Sequence, residues 1–86
     1  MIEIDLKGKR ALVTGGSKGI GSAICRELAA CGADVFINYF SNKESAEKLA
    51  AEIRKEFGVK VGIGGADVSK SEQVKNMFIE MDEAFG

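Results

Sequence analysis

The sequence predicts an α/β fold in which three parallel strands are each followed by a helix, in the order βαβαβα. Two observations carry this prediction. Short apolar runs alternate with stretches whose apolar residues recur at helical spacing, and each helical stretch ends at a glycine. Neither a proline nor a low-complexity tract interrupts the alternation. We therefore expect residues 1–86 to belong to a single domain.

The first strand and the first helix flank a glycine-rich turn. Residues 11–14 form a short apolar run, which is typical of a strand buried on both faces. Gly32 stands where a helix would end, which predicts a first helix of about three turns. Four apolar residues recur at helical spacing along it: Ile20, Ala23, Ile24 and Leu28.

Two further strand and helix pairs follow. Residues 35–40 and 59–66 are predicted strands, the latter weakened by three glycines that indicate a bulge or a close approach of another group. Ser41 and Ser69 each precede a glutamate by three residues, which is the spacing of a capping box at a helix start. Helices are therefore expected from these serines to Gly58 and toward Gly86.

The connections between the strands predict the topology. Strands joined through helices run parallel, and right-handed crossovers give the order 3-2-1, the first half of a doubly wound nucleotide-binding fold. In the whole fold a fourth strand would pair with the open edge of the first. We therefore expect association with a complementing C-terminal half or with a second copy.

Composition excludes several classes of function. The net charge is −1, from 12 basic and 13 acidic residues without a basic stripe, so nucleic acid is not an expected partner. Residues 1–6 show neither the basic segment of a signal peptide nor the long apolar stretch of a membrane span, so we expect a cytoplasmic protein. The sequence has no histidine, and Cys25 and Cys31 are about 9 Å apart along one helix, beyond the roughly 7 Å that a disulfide bridges. We expect two thiols and no metal site.

The turn after the first strand carries the strongest functional signal. Gly15, Gly19 and Gly21 have the spacing G-x-x-x-G-x-G between a strand and a helix. Glycines there let backbone N–H groups approach a phosphate, and the helix N-terminus adds a positive dipole end. A P-loop is excluded because Ser22 stands where that motif needs lysine. The turn predicts binding of a dinucleotide.

These residues carry a family resemblance. Residues 6–21, the segment 32–35 that opens the second strand, and Asp67 with Val68 closing the third are similar to the N-terminal part of a classical short-chain dehydrogenase/reductase. The 3-oxoacyl-carrier-protein reductase-like members resemble the chain most. The resemblance covers all 86 residues and implies a Rossmann-type fold that binds a nicotinamide dinucleotide.

The resemblance implies roles for residues that match the family motif. The turn from Gly15 to Gly21 would wrap the pyrophosphate, with the Ile20 N–H donating to it. Asp67 would accept from the adenine amino group, and Val68 would lie against the same ring. Asp67 could instead be a turn or N-cap residue, but binding is favoured because Ser69 supplies the predicted cap.

The second strand bears on the choice of cofactor. Asp34 lies at the start of this strand, about 16 Å from the binding end, and Tyr39 ends it. A carboxylate that would hold the ribose and repel a 2′-phosphate is therefore missing there, which favours NADP(H) over NAD(H). Lys18 is the expected partner of that phosphate. Other contacts are expected from Ser17, Asn38, Ser41, Asn42 and Lys43.

We expect no catalytic residue within these 86 residues. The family's Tyr-x-x-x-Lys pair and its preceding serine belong later in the sequence, and the match at Tyr39 and Lys43 is a chance spacing across a strand end. The expected function is cofactor binding for hydride transfer between nicotinamide and a ketone, alcohol or acyl-thioester substrate. The alternative is a stand-alone nucleotide-binding or interaction module without catalysis.

Overall fold

The computed structural model describes residues 7–15 and 19–85, and it confirms the predicted order of three strands and three helices. The elements are β1 (Arg10–Val13), α1 (Gly19–Ala30), β2 (Asp34–Tyr39), α2 (Lys43–Phe57), β3 (Val61–Gly65) and α3 (Ser71–Phe85). The strands form one parallel sheet with β2 in the centre. This is the predicted 3-2-1 order and half of a Rossmann fold.

Strand pairing sets the strand bounds. Arg10 pairs with Asp34 and Val13 with Ile37, so β1 begins one residue earlier than predicted and Thr14 belongs to the turn. β3 begins at Val61, two residues later than predicted. The preceding Lys60 is held by two bonds, because its carbonyl accepts from Val35 N–H at 3.0 Å and its N–H donates to Asp34 Oδ1 at 3.0 Å.

The two faces of the sheet pack against different helices. Side chains alternate along β2, so Val35 and Ile37 join the cluster covered by α1 and α2, whereas Phe36 points to α3. The first cluster is aliphatic, with Ile53 of α2 fully buried in it. In the second, the Phe36 and Phe85 rings meet edge to face with centroids 6.1 Å apart. Burial on both faces explains why β2 is apolar along most of its length.

The capping residue of α2 differs from the prediction. Asn42, not Ser41, is the N-cap, and its side-chain oxygen accepts from Ser45 N–H at 3.0 Å. Asparagine caps as well as serine does, so the Ser41 pattern competed with an equally good cap one residue later. At the other end Gly58 has a φ of 68° and its N–H bonds to the Arg54 carbonyl, as the predicted C-terminal glycine should.

The predicted cap of α3 at Ser69 is also wrong. The first helical bond runs from Val74 N–H to the Lys70 carbonyl at 3.1 Å, which puts the N-cap at Lys70. Ser69 instead donates both its N–H and its hydroxyl to Asp67. The serine is used by the turn before the helix and is therefore not available to the helix itself.

The glycines of β3 make room for aromatic rings of β2, which is the close approach that the sequence indicated. A Cβ on Gly62 would lie 2.8 Å from Phe36 Cδ1, and one on Gly64 would lie 2.7 Å from Phe36 Cε2. Real Cβ atoms do not approach other atoms so closely, so the Phe36 ring occupies the space that two side chains would need.

The cysteines and the helices complete the fold. Cys25 is buried in the α1 and α2 cluster, Cys31 is half-buried at the end of α1, and the two are not joined by a disulfide. Burial raises the pKa of the Cys25 thiol to about 11. Within residues 7–15 and 19–85 no helix is long and apolar enough to cross a membrane, and no three potential metal ligands form a group.

Candidate dinucleotide-binding site

The carboxyl ends of the three strands place the predicted site residues along one edge of the sheet. β1 leads into the turn at Gly15, β2 ends at Tyr39, and β3 leads to Asp67. Because Tyr39 pairs with Gly65, β2 and β3 end level with each other, and β1, whose Val13 pairs with Ile37, ends two residues earlier at the same edge. Open α/β sheets bind their ligands at this edge.

The turn between β1 and α1 has the backbone of an anion-binding loop at both of its described ends. Gly15 has a φ of 63° and Gly19 a φ of 53°, and a Cβ at either would meet nothing within 4 Å. Both glycines are therefore required by the left-handed backbone and not by crowding. Gly16, Ser17 and Lys18 lie outside the described residues, so the roles of Ser17 and Lys18 stay predictions.

Helix α1 begins at Gly19 and directs its first N–H groups toward this edge. No acidic side chain lies in its first turn to occupy them. Ile20 is 82% exposed and Gly21 is half-buried. The helix start thus offers donors and a positive dipole end to an anion, which are the features expected of a pyrophosphate site.

Asn38 joins the ends of all three strands. Its Oδ1 accepts from Gly15 N–H at 3.4 Å, and its Nδ2 lies 3.3 Å from the Gly64 carbonyl and 3.2 Å from the Ala66 carbonyl. The residue is only 3% exposed. The sequence singled out Asn38 for a ligand contact, and the structure adds that its amide bonds to the protein itself.

Tyr39 and Ser41 lie at the outer part of the same edge. The Tyr39 ring is half-buried and lies over Gly65, where a Cβ would come within 2.8 Å of Tyr39 Cε2. Ser41 is exposed, and Lys43 begins α2 with its ammonium 3.8 Å from Glu47. Tyr39 and Lys43 belong to different elements, as expected if their spacing is a coincidence.

Asp67 and Val68 form the turn that follows β3. Ser69 N–H and the Ser69 hydroxyl donate to Asp67 Oδ1 at 3.0 and 2.6 Å, and these bonds lower the pKa of the carboxyl. Within the described residues both bonds end on Oδ1, which leaves Oδ2 able to accept from a ligand. Val68 is 53% exposed beside it.

Sequence reasoning missed the partner of the Asp67 backbone. Gln73 Oε1 accepts from Asp67 N–H at 2.8 Å, so a side chain on the first turn of α3 holds the turn in place. A glutamine at the third helical position was the available signal, because residues there reach back toward the chain before the helix. The predicted Ser69 cap concealed it.

Comparison with known proteins agrees with the family resemblance of the sequence. A family model described as short chain dehydrogenase matches residues 9–86. A short-chain dehydrogenase/reductase of Pestalotiopsis microspora is 47% identical over 85 residues, covering 99% of this chain and 32% of the relative.

Solved structures agree with this match. The NADPH-dependent 3-quinuclidinone reductase of Rhodotorula rubra superposes with a TM-score of 0.88 at 37% identity, covering 98% of this chain and 31% of that one. A short-chain dehydrogenase of Burkholderia cenocepacia in complex with NADP gives 0.85 at 47% identity, covering 94% and 33%. The chain spans about a third of the length of the relatives it matches. It belongs to the short-chain dehydrogenase/reductase family, of which it is a cofactor-binding N-terminal segment.

Proposed function

We propose that this chain is the N-terminal part of a single NAD(P)-binding domain in an NADP(H)-dependent oxidoreductase. The observation that carries the proposal is the left-handed glycine turn, which leads into the N-terminus of α1 at the carboxyl edge of the sheet. In this proposal the turn from Gly15 to Gly21 holds the pyrophosphate, with Ile20 N–H as a donor. Ser17 contributes its hydroxyl to the ribose or to the phosphate.

The preference for NADP(H) rests on the charges around the end of β2. Tyr39 ends the strand without a carboxylate, and the nearest candidate, Asp34, lies at the opposite end, where it binds Lys60 N–H. A 2′-phosphate would therefore meet no negative charge from this strand end, and Lys18 would supply a positive one. NADP or NADPH is also named for the two solved relatives described above.

The adenine end of the site is assigned to the turn after β3. Asp67 Oδ2 would accept from the adenine amino group, and the exposed side chain of Val68 would cover the ring. The two bonds from Ser69 lower the pKa of Asp67, so they favour the ionised carboxylate, which is the form that accepts hydrogen bonds. Ser41 and Asn38 border the ribose side of the same edge.

The reaction proposed is the reversible reduction of a ketone to an alcohol, with an acyl thioester as the substrate if the chain is of the 3-oxoacyl-carrier-protein reductase-like type. When bound, the nicotinamide supplies or accepts the hydride. The residues described here bind and orient the cofactor. The tyrosine that the family uses as proton donor would come, with its lysine and the preceding serine, from outside these residues. We expect a cytoplasmic protein in which this segment associates with a complementing C-terminal half or with a second copy.

Lys18→Glu in the protein that contains this segment tests the cofactor assignment. A hydrogen bond to a charged group is worth roughly 1.5–3 kcal/mol, so kcat/KM for NADPH should fall by about 10- to 100-fold while NADH loses much less. Lys55→Glu makes the same charge change in the last turn of α2, at the other end of the domain, and should leave the ratio unchanged.

Tyr39→Asp tests the same assignment from the other side of the site. The new carboxylate would accept from a ribose hydroxyl and repel a 2′-phosphate, so preference should shift toward NADH. A wild-type protein that prefers NADH, or a Lys18→Glu variant whose NADPH to NADH ratio matches that of Lys55→Glu, would contradict the proposal.

A further inference from the structure

The amide of Asn38 is the only polar or charged side chain that the described residues bury almost completely, at 3% exposure. It sits on the central strand, on the same face as Phe36, where the alternation would otherwise call for an apolar residue. Burying an amide is unfavourable unless its hydrogen bonds are made. The hydrogen-bond partners of the Asn38 amide therefore indicate the role of this residue.

Those partners belong to three different segments. Oδ1 accepts from Gly15 N–H at 3.4 Å, in the turn after β1. Nδ2 faces the carbonyls of Gly64 at 3.3 Å, Ala66 at 3.2 Å and Tyr39 at 3.4 Å. Because Gly15 N–H can only donate and the three carbonyls can only accept, the orientation of the amide is fixed by its surroundings.

Among the described residues, the backbone pairing between β1 and β2 does not reach Gly15, which the Asn38 side chain does contact. β1 pairs with β2 only as far as Val13 and Ile37, so the described pairing stops before the glycine turn. Gly15 is also left-handed, and its N–H donates to Asn38 Oδ1. The Asn38 amide thus ties Gly15, the first glycine of this turn, to the ends of β2 and β3.

We propose that Asn38 is a positioning residue for the pyrophosphate turn and not a direct ligand of the cofactor. By accepting from the Gly15 N–H, it sets where the turn and the start of α1 place the N–H groups that meet the phosphates. This inference rests on the proposed cofactor-binding function. It assigns the Gly15 N–H to the protein and leaves later N–H groups, such as that of Ile20, to the ligand.

The test uses Asn38→Ala and the milder Asn38→Ser, whose hydroxyl can still donate to a carbonyl but is too short to reach Gly15 N–H. Amide hydrogen exchange of the ligand-free protein, followed by NMR, should show Gly15 exchanging about tenfold or more faster in both variants, while Ile37 in mid-strand stays protected. The NADPH dissociation constant should rise by about tenfold or more, with a smaller change in kcat.

Ile53→Val is the matched control, because it removes a buried methyl group from the opposite face of the sheet. Gly15 exchange and NADPH affinity should both stay at wild-type values in this variant. Gly15 exchange that is unaltered in Asn38→Ser, or that accelerates equally in Ile53→Val, would overturn the inference, as would faster exchange with unchanged affinity. A wild-type protein that binds neither NADPH nor NADH would overturn the proposed function instead, and Gly15 exchange would still decide whether Asn38 holds the turn.

Discussion

Glycines serve two different purposes in this chain, one in the turn after β1 and the other within β3. Gly15 and Gly19 have left-handed backbones and open space where a side chain would be. Gly62 and Gly64 have ordinary strand backbones, but the Phe36 ring fills the space beside them. The same residue type is thus required by a dihedral angle in one region and by volume in the other.

This difference between the turn glycines and the strand glycines predicts different effects on cofactor binding and on folding. Open space beside the turn glycines lies at the edge where a ligand would approach, whereas the space beside the strand glycines belongs to the core between the sheet and α3. Substitutions in the turn should therefore affect cofactor affinity more than stability. Substitutions in the strand should do the reverse.

The largest effect is expected for Phe36→Ala. Phe36 is 1% exposed and fills the space beside two glycines, which have no side chains of their own to occupy the cavity that its removal would leave. The free energy of unfolding should fall by about 3–5 kcal/mol, measured by urea denaturation of the protein that contains this segment. A loss below about 1 kcal/mol would show that the glycines of β3 are not there to admit the ring.

Gly64→Ala should have the next largest effect, a loss of about 1–3 kcal/mol of stability through overpacking. The new Cβ would meet a buried ring that is held edge to face against Phe85 and so cannot easily move. Phe36→Leu in the same protein should relieve the clash, so the double variant should lose less stability than the two single losses added together. Simple additivity in this cycle would argue against volume as the cause.

Gly15→Ala should cost about 1–2 kcal/mol of stability, because alanine is strained at a φ of 63° although nothing crowds its side chain. Phe36→Leu should not rescue this variant. NADPH affinity, measured by calorimetric titration under conditions where the variant is folded, should fall with the displaced turn. An unchanged NADPH affinity together with lowered stability would show that Gly15, like Gly64, is needed for folding and not for binding.

A smaller effect is expected in the turn after β3, which is built by polar side-chain bonds instead of glycines. Ser69 lowers the pKa of Asp67 below its ordinary value of 3.8, so the stabilisation that this turn gains is present above that value and is lost as the pH falls through the lower, folded-state pKa. Ser69→Ala should raise the pKa of Asp67 in an NMR titration. Ser71→Ala is the control, and an equal shift in both variants would contradict the role of Ser69.

The sequence predicted the order of elements because apolar residues recur at helical or strand spacing along most of the chain. In α1 these residues are not the buried ones, since Ile20 is 82% and Ile24 45% exposed, whereas Cys25 and Ala29 are buried. The stripe through Leu49 and Ile53, by contrast, is the buried face of α2. Both capping predictions failed for one reason: serine, asparagine and aspartate compete for the same backbone groups within a few residues. Asn42, and not Ser41, caps α2, and the Ser69 hydroxyl donates to Asp67 and does not cap α3.

The candidate site was predicted in outline, and its internal bonds were not. Spacing alone placed Gly15 and Asp67 at the same edge, since parallel strands end together. It could not show that Asn38 faces inward, because that depends on which face of β2 is covered by α3. A polar residue in register with Phe36 on an apolar strand was the available signal.

The contrast between the two cysteines offers a practical use of the fold. The thiolate is the form that reacts with maleimides, and at neutral pH a thiol whose pKa is about 11 supplies almost none of it from within a packed helix interface. Cys31, at the far end of α1, is the more accessible of the pair. A fluorophore attached there would lie some distance from the glycine turn and would report on cofactor binding through the helix that joins them.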